Sequence, residues 1–203
     1  MIRRILVWDA PTRVFHWLQA LSFFVAYFTS DSERYRDIHV AFGYILLGLV
    51  VFRLLWGFIG TQYARFSSFL FKPGTIVAYL LSLLRGKPEH YVGHNPAGSV
   101  SVWLLLTLGL LLGVTGVMAL QDEASDAVVE MHGIVTNIML AVVFLHIVGV
   151  LVSSVMHREN LVRSMITGFK LSESDTGIQR AYNWLGAVML VVVVAFGFVF
   201  LRS

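Results

Sequence analysis

Five long apolar stretches constrain the fold of this chain more than any other feature of its sequence. Crossing about 30 Å of hydrocarbon takes about 20 helical residues, and each stretch has roughly that length or more. Lipid permits only helices or closed barrels as spanning structures, and these runs are continuous rather than alternating. We therefore predict an all-α integral membrane protein with five spans. They cover about residues 14–30, 38–59, 97–120, 132–156 and 181–201.

The composition agrees with this prediction and excludes several classes of function. Charged residues make up only 13% of the 203 residues, and hydrophobic residues 57%. There is no cysteine, which excludes disulfides, iron–sulfur clusters and covalently attached haem. Any metal must therefore bind through histidine or carboxylate. No basic run or pattern of stacking aromatic residues indicates nucleic acid.

The connections between the spans predict one further helix. A segment at about residues 73–85 is apolar but too short to span, which favours a helix lying in the membrane interface. Residues 157–177 form a polar link to the last span. Without internal repeats or a low-complexity tract, we expect a single membrane domain over residues 1–203.

The positions of lysine and arginine predict the orientation of the chain, because cytoplasmic loops carry an excess of them. Only three would lie outside, namely Arg34, Arg36 and Arg202. The cytoplasmic set would be Arg3, Arg4, Arg13, Arg53, Arg65, Lys72, Arg85, Lys87, Arg158, Arg163, Lys170 and Arg180. We therefore expect a cytoplasmic N-terminus and an external C-terminus. Arg53, inside the second span, is expected to snorkel towards the interface.

Four of the seven histidines lie inside or at the edge of predicted spans: His16, His39, His132 and His146. Ionisable residues in a bilayer are costly and indicate function, although one histidine alone can equally serve to bond a neighbouring carbonyl. His132 and His146 are 14 residues apart, which places them within about 40° on one helix face and about 21 Å apart along it. His16 matches the depth of His146, and His39 matches that of His132.

Two histidine pairs at two depths suit two porphyrins stacked along the membrane normal. Imidazole is a standard axial ligand of haem iron, and helix bundles build cofactor sites from facing helices. A bare metal ion would need more ligands at one depth. Gly43 and Gly149, beside the histidines, would leave room for a flat macrocycle or only permit close helix packing. Arg13 could pair with haem propionates, or it could serve only topology.

The remaining histidines are predicted not to be ligands. His90 and His94 lie in the cytoplasmic connection, where Asn95 and Pro96 predict a helix start with an asparagine cap. His157 lies at the cytoplasmic exit of the fourth span, where we expect it in the interface.

Several segments resemble the bacterial di-haem cytochrome b561 family and the cytochrome b subunits of nickel–iron hydrogenases. They are WDAPTRVFHWL (8–18), DIHVAFGYILLGLVVFRLLWGFIG (37–60), GHNPAG (93–98), MHGIVTNIMLAVVFLHIVGV (131–150) and RENLVRSMITG (158–168). The resemblance implies a four-helix bundle with two haems b held by the four histidines. It also implies a bacterial inner membrane location and electron exchange with quinone. The fifth, C-terminal span departs from the family core.

Three functions remain open at this point. The first is an electron relay between quinone and an external redox protein such as a cytochrome c, and the second is a superoxide oxidase that reduces quinone. The third is a transporter with histidines as proton relays. Seven acids would lie on the external face, which would repel superoxide and attract a basic partner. They are Asp31, Glu33, Asp37, Asp122, Glu123, Asp126 and Glu130.

We expect quinone at the cytoplasmic end of the bundle. Trp17 and the interfacial segment could line its slot, His157 could donate protons, and Arg158 could bond a quinone oxygen. His157 and Arg158 could instead only anchor the helix end at the headgroups, and the external haem is a competing location. The sequence leaves the oligomeric state open.

Overall fold

A computed structural model describes residues 3–121, 123–172 and 176–202. Within these ranges the chain forms seven α-helices and two short β-strands. The helices are α1 Ala10–Thr29, α2 Arg36–Ile59, α3 Pro73–Leu84, α4 Pro96–Ala119, α5 Asp126–Met156, α6 Leu161–Thr167 and α7 Asn183–Phe200. The strands are β1 Arg3–Leu6 and β2 Phe169–Ser172.

Four of the described helices are long and apolar enough to cross a membrane. They are α4, α5, α7 and α2 together with the turn that precedes it, Glu33–Ile59. Helix α1 has 20 residues but is less apolar. The reason is a polar stripe of Thr12, His16, Gln19 and Ser22, which lie three or four residues apart and so share one helix face. Buried polar atoms of Thr12, His16 and Gln19 show that the stripe faces the protein interior.

Side-chain caps fix where two of the long helices begin. Asp9 Oδ1 accepts a hydrogen bond from the Thr12 amide at 2.7 Å at the start of α1. Asn95 Oδ1 does the same for the Gly98 amide at 2.7 Å, and Pro96 is the first residue of α4. The predicted asparagine cap with proline at the first helical position is therefore confirmed.

The long helices pack in sequence order around an apolar centre. Helix α1 packs against α2, α2 against α4, and α4 against α5, while α7 lies against α1 and α2. The central cluster contains Phe23, Leu46, Val50, Leu108, Leu112, Val135 and Met139. Leu46 and Met139 come seven residues after His39 and His132, about halfway along the bundle. An apolar layer thus separates the two ends of the bundle, which by the predicted orientation are external and cytoplasmic.

The all-α prediction missed an antiparallel ribbon, in which β1 pairs with β2 and Leu6 lies opposite Phe169. The ribbon continues into a hydrogen bond of 2.8 Å from the Val7 amide to Gly168 O. Gly168 has a φ of 87°, and a Cβ there would lie 2.6 Å from Trp8 O, so both conformation and space require glycine. Strands of four residues carry too little periodicity to be recognised in a sequence.

Candidate functional site

His39 and His132 lie together at the end of the bundle that is predicted to be external, with ring centroids 6.3 Å apart. His39 Nδ1 is 2.8 Å from Ala26 O, which can only accept, so this nitrogen donates. His132 Nδ1 is 2.9 Å from Thr115 Oγ1, whose own proton goes to Leu111 O at 2.7 Å. With Nδ1 donating in both rings, Nε2 keeps its lone pair. This is the hydrogen-bonding pattern of metal-ligating histidines, in which the second nitrogen fixes the ring orientation.

A cavity of about 700 Å³ opens beside this pair and is lined by both histidines. That volume lies within the usual range of about 300–1,000 Å³ for cofactor and ligand pockets. Gly43 lines the cavity, and a Cβ built on it would meet no atom within 4 Å. Gly116 also lines it, and a Cβ there would approach His132 Cε1 at 3.2 Å. Missing side chains therefore keep the space beside the imidazoles open.

His16 and His146 form the second pair, also with ring centroids 6.3 Å apart, at the opposite end, which is predicted to be cytoplasmic. The Nδ1 of His16 is buried and has no hydrogen-bond partner among the described residues. Gly149, one turn beyond His146, again has open space around its missing Cβ. Trp17 packs edge-on against His16 at 5.0 Å, and its Nε1 donates to Met165 O at 3.3 Å.

The common separation of the two pairs is informative because it matches axial ligation of one metal atom. With metal–nitrogen bonds of about 2.0–2.1 Å and about 1.1 Å from nitrogen to ring centroid, two imidazoles on opposite sides of one atom have centroids about 6.3 Å apart. Within the described ranges, no group of three or more histidine, aspartate or glutamate side chains could hold a bare ion. The residues present therefore fit a group that brings its own equatorial ligands.

Arg13 and Arg53, both predicted to lie near the cytoplasmic surface, differ in their burial and in their hydrogen-bond partners. Arg13 Nη1 donates to Ile166 O at 2.7 Å and ties α1 to α6, while its Nε is buried without a partner in the described chain. Arg53 is only 2% exposed. The prediction that Arg53 snorkels is therefore wrong, because its guanidinium lies inside the protein over the rings of Phe66 and Phe69.

His94 is predicted from the sequence only as a residue that is not a ligand, but the structure shows that its Nδ1 is buried. Its ring packs 4.4 Å from that of Phe69 and 4.8 Å from that of Trp8, between centroids. Burial lowers the pKa of His94 to about 3, and the positive charge of Arg53 contributes to the shift. His94 is therefore neutral near pH 7. Its position in a connecting loop gave no periodic signal of burial.

The residues around His157 form a polar cluster at the C-terminal end of α5. Tyr79, on α3 and only 3% exposed, has its hydroxyl 3.5 Å from His157 Nε2. The His90 ring lies 5.5 Å from that of His157, between centroids, and its Nε2 is 3.7 Å from Glu159 Oε2. Glu159 also pairs with the buried Lys170 at 3.1 Å. Burial, followed by the charges of His90 and Lys170, lowers the pKa of His157.

The other two residues predicted for a quinone site have different neighbours. Arg158, directly after His157, is exposed and has a left-handed backbone with a φ of 50°. Trp17 contacts α6 through Met165, whereas His157 contacts α3 through Tyr79. The structure thus brings His157 and α3 together and places Trp17 beside His16.

Comparison with known proteins decides the family. A family model described as prokaryotic cytochrome b561 matches residues 7–168. The chain belongs to the prokaryotic cytochrome b561 family. The matched residues include both histidine pairs and, from the cluster around His157, all members except Lys170. No solved structure matches the chain.

Its curated relatives in the family are named as probable Ni/Fe-hydrogenase B-type cytochrome subunits. The one from Rhizobium leguminosarum bv. viciae is 26% identical over 210 residues, covering 81% of this chain and 88% of the relative. The one from Azotobacter vinelandii is 24% identical over 217 residues, covering 83% and 89%. That from Escherichia coli strain K12 is 26% identical over 147 residues, covering 59% and 61%.

Membership of the cytochrome b561 family, together with the apolar helices, indicates a multi-pass membrane protein that transfers electrons. A b-type cytochrome contains haem b, which is the kind of group that the two histidine pairs fit.

Proposed function

We propose that this protein is a transmembrane di-haem b electron carrier that connects an external redox partner to the quinone pool. The observation that carries the proposal is the pair of equal 6.3 Å ring separations, one at each end of the bundle. His132 and His146 are 14 residues apart on one helix, so the two sites lie about 21 Å apart along the membrane normal. Haem b, when bound, supplies one-electron redox chemistry at each site.

The four histidines would hold the two haems. His16 and His146 would hold the cytoplasmic haem, and His39 and His132 would hold the external haem. With two imidazoles at each site, haem b would supply electron transfer rather than binding of a small ligand. Ala26 O and Thr115 Oγ1 orient the external imidazoles by accepting from their Nδ1 atoms.

Other residues shape the space around the haems. Gly43 and Gly149 leave room for the macrocycles, consistent with the open space at both positions. Arg13 offers its unpaired Nε to a propionate of the cytoplasmic haem, while its Nη1 stays on Ile166 O.

In this proposal the chain is one membrane domain with five spans in a bacterial inner membrane. Helices α1, α2, α4 and α5 form the haem-binding bundle, and α7 is the additional span. The inward-facing polar stripe explains why α1 can span despite its lower hydropathy. The N-terminus is cytoplasmic and the C-terminus periplasmic, as the lysine and arginine distribution favours. Helix α3 lies in the interface, which the exposed Leu80 and Leu84 support.

The external partner is a redox protein that binds an acidic face. The relatives' names suggest a hydrogenase, and a cytochrome c is the alternative that charge alone would favour. All the predicted external acids within the described ranges are exposed, and Asp31 and Glu33 line the cavity beside the external histidines. Asp122 lies outside the described residues. A negative face of this kind disfavours the superoxide oxidase alternative, whose substrate is an anion.

Quinone reacts at the cytoplasmic end, beside the His16–His146 haem and Trp17. Reduction of a quinone to quinol takes two electrons from the haem chain and two protons from the protein. His157 donates these protons, and Arg158 bonds a quinone oxygen. The cluster around His157 supports this role because the exposed His90 lies beside the His157 ring and also pairs with Glu159, so a solvent-facing titratable group stands next to the proposed donor.

Haem and iron quantification on the purified protein tests the central proposal. Two haems b and two irons per chain are expected, with reduced spectra that resolve into two components in a redox titration. A protein with one haem, or with none as the transporter alternative requires, contradicts the proposal. Quinone reduction driven by superoxide as fast as by a hydrogenase or cytochrome would instead favour the superoxide oxidase.

A further inference from the structure

Arg53 is a buried cation without a hydrogen-bonded partner in the described chain. Its side chain is 2% exposed, and its Nη1 is fully buried and unpaired. The guanidinium carbon lies 5.2 Å from the centroid of the Phe66 ring and 5.9 Å from that of Phe69. Aromatic faces stabilise a cation only partly, and a buried charge without an anion is strongly unfavourable.

The nearby carboxylate, Asp9, is already committed to other donors. Asp9 Oδ1 caps α1 by accepting from the Thr12 amide at 2.7 Å. Asp9 Oδ2 accepts from Trp56 Nε1 at 3.1 Å and also from the Thr61 hydroxyl. Asp9 contributes negative charge near Arg53, but both of its oxygens are hydrogen bonded to other groups. Within the described residues no carboxylate hydrogen bonds to the guanidinium, so Arg53 can still bind an anion.

The position of Arg53 on α2 identifies where that anion lies. Arg53 follows His39 by 14 residues, the same interval that separates His132 from His146 on α5. Fourteen residues return to nearly the same helix face about 21 Å further along the axis. Arg53 therefore occupies, on α2, the depth and the seam that His146 occupies on α5.

His94 approaches the same place from the loop before α4. The His94 ring lies 4.4 Å from that of Phe69, between centroids, and Phe69 also contacts Arg53. The Nδ1 of His94 is buried and unpaired within the described ranges. Burial and the positive charge of Arg53 lower the pKa of His94 to about 3, so His94 is neutral near pH 7. Neutral His94 can donate one hydrogen bond from a ring nitrogen.

We propose that Arg53 and His94 bind the propionate carboxylates of the haem held by His16 and His146. This inference rests on the proposed di-haem function and adds the group that anchors the cytoplasmic haem. A guanidinium matches a carboxylate with two parallel hydrogen bonds, which makes Arg53 the principal anchor. The propionate in turn supplies a hydrogen-bonded counter-charge for the buried cation, which Asp9 does not.

Redox titration of the full-length protein with both haems bound tests this assignment. Removing a buried cation near one haem stabilises its oxidised form, so Arg53→Gln should lower the midpoint potential of the cytoplasmic haem alone. We expect about a tenfold change in its reduction equilibrium, which is about 59 mV for one electron. Arg53→Lys keeps the positive charge, so the midpoint potential of this haem should stay close to the wild-type value. The matched control is Arg65→Gln, at an exposed arginine of the following loop, which should change neither haem.

The rate of haem transfer to excess apomyoglobin provides a second measurement. Arg53→Gln should release the cytoplasmic haem at least tenfold faster than the wild type does, and the external haem at the wild-type rate. His16→Ala, which should lack the cytoplasmic haem, identifies the two release phases. If Arg53→Gln yields no haem protein, His94→Gln, which removes no buried charge, should show the same selective release with smaller amplitude. The assignment is overturned if the potential and release rate of the cytoplasmic haem do not change, or if both haems change equally. A wild-type protein without two haems overturns the di-haem proposal itself.

Discussion

Thr115 Oγ1 accepts a hydrogen bond from His132 Nδ1 at 2.9 Å, and the same hydroxyl donates a hydrogen bond to Leu111 O at 2.7 Å. The hydroxyl thus links the imidazole to the backbone of α4. A ring held in this way presents Nε2 in one fixed direction, and the hydrogen bond makes that nitrogen a stronger donor to a metal.

Replacing Thr115 with valine should therefore weaken one haem selectively. The variant keeps the shape of the side chain but leaves His132 Nδ1 without an acceptor. Loss of such an outer hydrogen bond typically costs about 10–100-fold in metal affinity, so the external haem should be lost preferentially during purification. Haem-to-protein ratios measure the effect. Thr107→Val, an exposed position on the same helix, is the control and should retain both haems.

The histidine pairs predict which substitutions remove the same haem. His16→Ala and His146→Ala should each abolish the cytoplasmic component, because each removes one of its two axial ligands. His39→Ala and His132→Ala should abolish the external component. Redox titration followed by optical spectra distinguishes the two. Loss of one common component in His16→Ala and His39→Ala would show that the pairing by depth is wrong.

The open space beside Gly43 predicts a steric effect of a larger side chain. Gly43→Leu should fill the external cavity and reduce the content of that haem to less than half, while the cytoplasmic haem remains. Gly48→Leu on the same helix also has open space around its Cβ, but Gly48 does not line the cavity. Haem content of the two variants, measured side by side, separates loss of cofactor space from general damage to α2.

The two histidine pairs could be predicted from the sequence because helix geometry is regular over 14 residues. The same interval relates His39 to Arg53, yet Arg53 was predicted to snorkel. Its burial depends on Phe66 and Phe69, which fold back from a loop, and no local pattern encodes such a contact. His94 escaped prediction for the same reason, since loop residues have no periodicity that reveals which side is buried.

Charge on the external face predicts the salt dependence of electron exchange with the partner. If the acidic face attracts a basic partner region, the rate should fall steeply with ionic strength, because exposed charges are screened over about 10 Å at 0.1 M salt. Glu123→Lys with Asp126→Lys should slow exchange at low salt about tenfold. Stopped-flow kinetics with the reduced partner provide the measurement. Glu89→Lys, in the cytoplasmic connection, should leave the rate unchanged, and equal slowing there would exclude charge steering.

The cluster around His157 predicts a pH dependence with a defined sign. A proton donor must be protonated, so quinone reduction should slow as pH rises through the pKa of His157. Burial lowers that pKa, so the decline should lie below the ordinary value of about 6.5. Glu159 raises the pKa and His90 lowers it, so Glu159→Gln should move the decline to lower pH and His90→Gln to higher pH. His157→Gln should remove the pH dependence and slow the reaction several-fold, while exchange with the external partner stays normal.

The ribbon between β1 and β2 joins two parts of the chain that are far apart in the sequence. Arg3–Leu6 pair with Phe169–Ser172, which follow α6, so backbone hydrogen bonds close a loop that contains α1 to α6. Closing so long a loop costs chain entropy, and the ribbon offsets part of this cost through contacts between protein atoms alone. The chain thus clasps these two segments together at the start of α1, and this clasp does not require a bound cofactor.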